Sequence, residues 1–205
     1  AQAIAIQAWH EVYGLPIPTL DEVAKLRKES KAATKSANID TIGLLKTGAA
    51  GVEAFNERSH IDRLAVDFRK VDLSGCDLSG IQFARVTKLH EAALAGAKLV
   101  KASLFACKCT DADLSNVDLT GADLTGAEIR GASFNVTIDD TFFDLLTGGL
   151  TLAQLYSTAS YQAYDLAGIN LGGNDLTGGN FAHQNLTNSS FGYVCFNSCS
   201  QAYWE

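Results

Sequence analysis

The sequence predicts a four-sided β-solenoid over residues 66 to 199, with a helical cap before it and one short helical interruption. Three observations carry this prediction. A five-residue pattern recurs in register, it fails between residues 137 and 163, and the first 65 residues carry helix signals in its place. We therefore divide the chain into a cap, a first repeat block, an interruption and a second repeat block, at residues 1–65, 66–136, 137–163 and 164–205.

Each repeat has a small residue, a polar residue, a large apolar residue and two turn-type residues, most clearly from Ala112 to Val136. We take the large apolar residue as the centre of the repeat. The register has 21 centres: Phe68, Leu73, Leu78, Phe83, Leu89, Leu94, Leu99, Leu104, Cys109, Leu114, Leu119, Leu124, Ile129, Phe134, Leu166, Leu171, Leu176, Phe181, Leu186, Phe191 and Phe196. It skips one residue between Phe83 and Leu89.

A period of five fits neither an α-helix nor an extended strand, so the backbone must turn within every repeat. Each repeat then forms one side of a square, four repeats close one coil, and coils stack at about the 4.8 Å strand spacing. We expect the centre and the small residue two positions before it to point inward. The other three residues face water, which explains the Asp, Asn, Ser and Thr at those positions.

These residues resemble the pentapeptide-repeat family, whose pattern is Ala-(Asp/Asn)-Leu-x-x, over residues 66–136 and 164–199. The resemblance implies a right-handed quadrilateral β-helix, usually capped by helices, often dimeric and almost always without enzymatic activity. The second block also resembles a variant found in exported bacterial repeat proteins.

The first 65 residues contain helix signals. Thr19 to Glu22 has the form of a capping box and predicts a helix to about Ser36. A short helix is predicted around Trp9. A further helix is predicted after Asp40, because one face would carry Ile42, Leu45, Ala49, Val52 and Phe55. We interpret these helices as a packed cap, with a partner-binding arm as the alternative.

The interruption contains a second capping box, from Thr151 to Gln154, which predicts a short helix. The apolar residues before it need cover, and they either fold back onto the solenoid or form an exposed contact patch. They are Phe142, Phe143, Leu145 and Leu146.

The formal net charge of -7 is concentrated at the C-terminal end, because residues 131–205 contain six acids and no Lys or Arg. Such a block does not attract nucleic acid or an anionic membrane by charge, but it suits a basic protein partner. We therefore predict no direct nucleic-acid binding and an unidentified protein partner. The predicted contact residues are Asp139, Asp140, Phe142, Phe143, Asp144, Asp165 and Asp175.

No catalytic, cofactor or metal site is predicted. His10, His60, His90 and His183 are far apart and no zinc motif or phosphate loop is present. The Asp residues of the repeats share one outward position, which we interpret as solvation.

The five cysteines fall into two groups. Cys76, Cys107 and Cys199 take the small inward position and Cys109 is a centre, so we expect them to be inert. Cys195 is outward and lies four residues before Cys199, so these two either form a terminal disulfide in an oxidising compartment or stay unpaired.

The chain starts at Ala1 and contains no Met, which we interpret as a processed or trimmed form. It has no run of eighteen apolar residues that would cross a bilayer, so we expect a soluble protein. Its compartment stays open, and an exported or organelle-targeted protein that has lost its targeting segment fits this start.

The predicted function is a non-enzymatic scaffold or a small accessory subunit of a larger assembly, present as a homodimer or as one subunit of a complex. The alternative, implied by the family resemblance, is a DNA mimic that binds and protects a type II topoisomerase. About five coils would span roughly 25 Å, over which B-DNA carries about fifteen charges. Residues 66–205 contain fifteen acids and eight bases, and the net charge of -7 is about half that of DNA of this length.

Overall fold

The computed structural model describes residues 38–138, 149–192 and 194–195. The chain divides into two compact units, Ala1–Asp40 and Thr41–Glu205. Only residues 38–40 of the first unit are described, and they are helical. The helices predicted around Trp9 and from Thr19 to Ser36 lie outside the described residues.

Three helices precede the coils: α1 at residues 38–45, α2 at Ala49–Asn56 and α3 at His60–Ala65. The prediction of one helix after Asp40 is wrong, because Gly48 adopts a φ of 79° and ends the helical path between α1 and α2. Within the described ranges no helix is both long and apolar enough to cross a membrane.

Helix α2 contacts the first coil through its last two residues. The Phe55 ring lies 6.0 Å from Phe68 and 6.2 Å from Phe83, edge to face in both cases. The Asn56 amide donates to the Gly80 carbonyl at 3.0 Å and accepts from the Gln82 N–H at 2.8 Å. A side-chain amide thus satisfies two backbone groups that have no neighbouring strand on that side.

The pairing between coils confirms the five-residue register. Ala93 pairs with Asp113, twenty residues further on, so four repeats close one coil. Asp72 pairs with Ala93, twenty-one residues further on, because the first coil contains the extra residue. Ser133 next pairs with Asn170, so the interruption lies within a single coil.

Most of the β-structure consists of isolated bridges, because the backbone turns again before a second residue can pair. The described residues contain two strands, β1 at Thr137–Ile138 and β2 at Val194–Cys195, which pair in parallel.

The turns between sides explain the two turn-type residues. In the turn after Leu73, the Cys76 N–H donates to the Leu73 carbonyl at 3.2 Å and Gly75 has a φ of 67°. This geometry favours glycine. In the segment with the extra residue, however, Val86 adopts a φ of 60°. A β-branched residue is strained there, at a cost on the order of 1–3 kcal/mol.

The centres of the first block are buried as predicted, and so are most of its small inward positions, whereas Val71 and Cys76 are half-buried. All centres from Phe68 to Phe134 are at most 5% exposed. Burial raises the pKa of Cys107 to about 12 and raises that of Cys109 well above its usual value. Both thiols are therefore protonated at neutral pH.

The interruption forms α4 at Leu152–Ser157 and α5 at Ala159–Gln162, and the predicted capping box of Thr151 and Gln154 is confirmed. Leu150 and Leu155 are 2% and 0% exposed and continue the apolar core where the repeats lack centres. The Gln154 Nε2 group donates to the Leu119 carbonyl at 2.8 Å and to the Ala122 carbonyl at 3.0 Å. Helix α4 thus occupies the place of a missing side.

One inward position was predicted wrongly. The register places Tyr164 inward, two residues before Leu166, yet Tyr164 is 59% exposed. Ser160 is buried instead, and its Oγ accepts from the Ile129 N–H at 2.8 Å. Helix α5 therefore supplies the inward residue, because it leads into the second block and displaces the position that the repeat pattern alone would use.

Candidate interaction surface

The four sides of the coils give four outward faces, which we name by the centres beneath them. Face 1 lies over Phe68, Leu89, Cys109, Ile129, Leu166 and Leu186; face 2 over Leu73, Leu94, Leu114, Phe134, Leu171 and Phe191; face 3 over Leu78, Leu99, Leu119 and Leu176; and face 4 over Phe83, Leu104, Leu124 and Phe181.

The Asp residues that directly precede a centre hold the turns. Each accepts a hydrogen bond from the backbone N–H two residues further on, as in Asp118 with Thr120 at 3.0 Å. The same bond occurs at Asp72, Asp77, Asp113, Asp123, Asp165 and Asp175. Sequence reasoning assigned these carboxylates to solvation and missed this bond, although Asp before Ser or Thr and Gly is its usual signature.

Hydrogen bonding lowers the pKa of several of these carboxyls. The Ser79 hydroxyl lowers the pKa of Asp77, and the Thr177 hydroxyl lowers that of Asp175. These groups are therefore ionised at neutral pH and fixed in position by their turns.

Face 1 carries ion pairs between neighbouring coils. Their N–O distances are 3.1 Å for Lys70 and Glu91, 3.4 Å for Lys108 and Glu128, and 3.7 Å for Arg130 and Asp165. The described part of this face holds five acids and five bases. Its charges are therefore balanced within the chain.

The structure does not bring Asp165 and Asp175 together. Asp165 lies on face 1, beside Arg130, and also accepts from the Asn185 amide at 3.1 Å. Asp175 is exposed beside Leu176 on face 3, two sides further around the coil. The five-residue period already predicts this separation, because residues ten positions apart are two repeats apart and lie on opposite sides of the square coil. The two described acids of the C-terminal block therefore do not share one surface.

A shallow cavity of about 200 Å³ lies at the corner between faces 2 and 3. Its lining includes Lys98, Asn116, Asp118, Gly149 and the buried Val136, and we call these five residues the corner surface. The side-chain Oδ1 atom of Asn116 accepts from the Thr137 N–H at 2.7 Å. The chain thus leaves the coils and returns to them at this corner.

The remaining predicted contact residues, Asp139, Asp140, Phe142, Phe143 and Asp144, lie outside the described residues, as does Cys199. They belong to the segment that connects Ile138 to Gly149. The Cys195 backbone is part of β2, and its disulfide with Cys199 stays a prediction.

The structure assembles no metal site in the ranges it describes: no group of His, Cys, Asp or Glu there has a suitable arrangement. His60 and His183 are exposed and His90 is half-buried, while His10 lies outside these ranges. Burial raises the pKa of the half-buried Cys76 thiol.

The solved structures that are similar to this chain include two pentapeptide repeat proteins. The first, from the thylakoid lumen of Arabidopsis thaliana, is 25% identical, with a TM-score of 0.35; the match covers 65% of this chain and 66% of that protein, just under two thirds of its length. The second, HetL, is involved in heterocyst differentiation regulation in the cyanobacterium Nostoc sp. It is 22% identical, with coverage of 60% of this chain and 69% of HetL and a TM-score of 0.22.

No curated protein matches this chain. A family model, described as pentapeptide repeats, matches in 8 copies at residues 65–104, 97–135 and 165–200, which together make up more than half of the chain. These ranges coincide with the coils and leave out the interruption. The chain belongs to the pentapeptide-repeat family.

Proposed function

We propose that this protein is a non-enzymatic interaction module, a scaffold or small accessory subunit that binds a basic protein partner. Members of its family form right-handed β-helices and are generally non-enzymatic structural proteins. The proposal needs only rigid, regularly spaced outward side chains.

The observation that carries this proposal is that the turn carboxylates and the buried thiols of the described coils already take part in hydrogen bonding or core packing. The outward carboxylates accept backbone hydrogen bonds, and the pKa values of Asp72, Asp77 and Asp175 are lowered. The thiols of Cys107 and Cys109 are buried and their pKa values are raised. General acid–base or nucleophilic catalysis needs groups whose pKa lies near the working pH. The lowered pKa values of these carboxyls and the raised pKa values of these thiols are both further from neutral pH.

The corner surface is the part of the coils that we propose as the contact site. It combines a concave shape with Asp118, and Asp175 lies on the adjoining face 3. The segment between Ile138 and Gly149 starts and ends beside it and carries three Asp and two Phe residues in its sequence. This composition suits a partner that is basic and partly apolar. Face 1 suits it less, because four of its five acids form ion pairs, whereas no ion pair among the described residues includes Asp118.

We also propose that α2 and α3 act as an N-terminal cap. Phe55 and Asn56 contact the first coil, and the Arg63 guanidinium donates to the Gln82 carbonyl at 2.8 Å. Such contacts protect the first coil from pairing with another chain.

The distribution of charge favours a scaffold over a DNA mimic. The described coils carry eleven acids and eight bases, and five of these acids share face 1 with five bases. A surface that imitates duplex DNA needs an uninterrupted negative charge of about one per 1.7 Å.

The test compares two charge reversals in matched repeats. Asp118→Lys lies in Val117-Asp-Leu-Thr-Gly at the corner surface, and Asp123→Lys lies in Ala122-Asp-Leu-Thr-Gly on face 4. Both lose the same turn hydrogen bond, so they differ mainly in location. Each protein would be recovered from source cells under native conditions, sized against the 21.8 kDa monomer and analysed by mass spectrometry.

We expect the unaltered protein and Asp123→Lys to migrate with a larger assembly, and Asp118→Lys to migrate alone. Migration of the unaltered protein as a free small species would reject the subunit role and make a topoisomerase protection assay the next experiment. Retention of the assembly by both variants would reject the corner surface.

A further inference from the structure

Asn174 occupies the small inward position of its repeat, two residues before Leu176, and forms four hydrogen bonds with the backbone. Its Nδ2 group donates to the carbonyls of Phe134 at 2.7 Å, Leu171 at 3.0 Å and Gly172 at 3.3 Å. Its Oδ1 atom accepts from the Leu150 N–H at 2.8 Å. One side chain thus joins three separate stretches of backbone.

Two of these stretches are the points where the chain leaves and rejoins the coils. Phe134 is the last centre before the interruption, and Leu150 is a core residue within it, next to the point where the described chain resumes at Gly149. The two ends also lie close together, since a Cβ atom on Gly149 would be 3.1 Å from Val136 Cγ2 and 2.6 Å from Asn174 Oδ1. The intervening segment therefore starts and ends at one place.

The backbone around Asn174 has no room for larger neighbours. A Cβ atom on Gly173 would lie 2.1 Å from the Val136 carbonyl oxygen, and Gly173 has a φ of 74°. Gly149 thus lets the backbone approach the Asn174 amide, and Gly173 lets it approach the Val136 carbonyl. Only a neutral group with both donors and an acceptor satisfies these partners, which an amide does and a carboxylate or an aliphatic group does not.

From these contacts we propose that Asn174 is a positioning residue that anchors both ends of the 137–149 segment to the coils. The coils themselves do not depend on it. The Phe134 N–H donates to the Asn170 carbonyl at 2.7 Å, the Val136 N–H donates to the Gly172 carbonyl at 2.8 Å, and Leu150 is buried in the core. Loss of the amide therefore releases the segment before it unfolds the solenoid. This inference does not depend on the proposed function.

The first test is limited proteolysis of Asn174→Ala, with Asn180→Ala as the matched control. The Asn180 side chain accepts one hydrogen bond, from the Ala182 N–H at 3.0 Å, and bridges no other segment. Chymotrypsin is the suitable protease, because residues 131–205 contain no Lys or Arg, whereas Phe142 and Phe143 are chymotrypsin sites.

We expect Asn174→Ala to increase the initial rate of cleavage after Phe142 or Phe143 by roughly tenfold, the factor set by losing the net stabilisation of buried hydrogen bonds. We expect chymotrypsin to cleave Asn180→Ala at the same rate as the unaltered protein. Equal rates for the two variants would overturn the inference. So would a matching increase of cleavage within residues 66–136, because that result indicates global unfolding.

Asn174→Asp provides a second test that does not require the alanine variant to fold. At pH 7 its carboxylate would face three carbonyl oxygens without a donor, so we expect a lower melting temperature than that of the unaltered protein. Protonation at about pH 4 restores one donor and should narrow the difference. A difference that is constant with pH would show that the amide fills space without bonding and would overturn the anchoring role.

Discussion

The two repeat blocks share a register but fill the small inward position differently. In the first block this position holds mostly Ala, together with Val, Ile, Thr or Cys, and most of these residues are buried. In the second block it holds Ile169, Asn174, Gln184 and Ser189 among others. The Gln184 amide donates to the Tyr161 carbonyl at 3.0 Å, and the Ser189 hydroxyl donates to the Leu166 carbonyl at 2.8 Å. The second block therefore forms side-chain hydrogen bonds at this position more often than the first block, in which the Thr87 hydroxyl donates to the Ala84 carbonyl at 2.6 Å.

The difference follows from what lies next to each block. A coil between two regular coils pairs its backbone on both sides, so its inward residues only need to fill space. The second block meets helices, whose backbone bonds are used internally. Tyr156 and Tyr161 show the same adjustment, since their hydroxyls bond the Asn180 N–H at 2.6 Å and the Asn180 carbonyl at 2.7 Å. In the second block, polar inward residues thus mark places where a neighbouring strand is missing.

The largest expected effect tests the difference in burial between the blocks. Leu119 is 0% exposed, whereas Leu186 is half-buried. We expect Leu119→Asp to unfold the coils, because an unpaired buried charge costs several kcal/mol, comparable with the stability of a domain, about 5–15 kcal/mol. Leu186→Asp should stay folded and lose on the order of 1–2 kcal/mol.

Circular dichroism during thermal unfolding measures both variants. If Leu119→Asp melted at the unaltered temperature, the inward register would be wrong. Equal effects of the two variants would mean that position in the stack does not control the cost of a buried charge.

A medium effect is expected at the junction between the blocks, where Gln154 stands in for a strand. Gln154→Ala leaves the carbonyls of Leu119 and Ala122 without this donor, and we expect a loss of about 1–3 kcal/mol in the free energy of unfolding. Gln82→Ala is the control, because the exposed Gln82 amide donates only to the Gly80 carbonyl, and it should change stability by less than about 0.5 kcal/mol. Urea titration measures both, and equal losses would count against the substitution of a side chain for a strand.

The smallest effect concerns the turn carboxylates. The pKa of Asp77 is lowered by the Ser79 hydroxyl, so the folded state holds this proton less tightly than the unfolded chain does. Its contribution is present above about pH 4 and is lost as the pH falls through the lowered pKa. Asp77→Asn cannot lose it in this way, so its melting temperature should fall less than that of the unaltered protein between pH 5 and about pH 2.5. Parallel curves for the two proteins would exclude this contribution.

Much of the fold follows from the repeat, because a period of five with one large apolar residue leaves few other backbone paths. The extra residue before Leu89 and the capping box at Thr151 could also be predicted from the sequence, since each is a local pattern. The break at Gly48 could not be predicted, because a glycine within an apolar stripe does not reveal whether its φ is positive. The exposure of Tyr164 could not be predicted either, because it depends on α5, which brings Ser160 to the inward position.

The sequence by itself determined the coil: its centres, its inward and outward positions, and the place where the repeat stops. These depend on hydrophobic burial and turn preference within five residues, which the sequence expresses directly. Only the tertiary structure decided how the interruption joins the coils, through Gln154 and Asn174, and that the chain leaves and rejoins them at the corner surface. The reason is that a missing backbone partner exists only once neighbouring coils have stacked, and the residue that replaces it lies up to forty positions away in sequence.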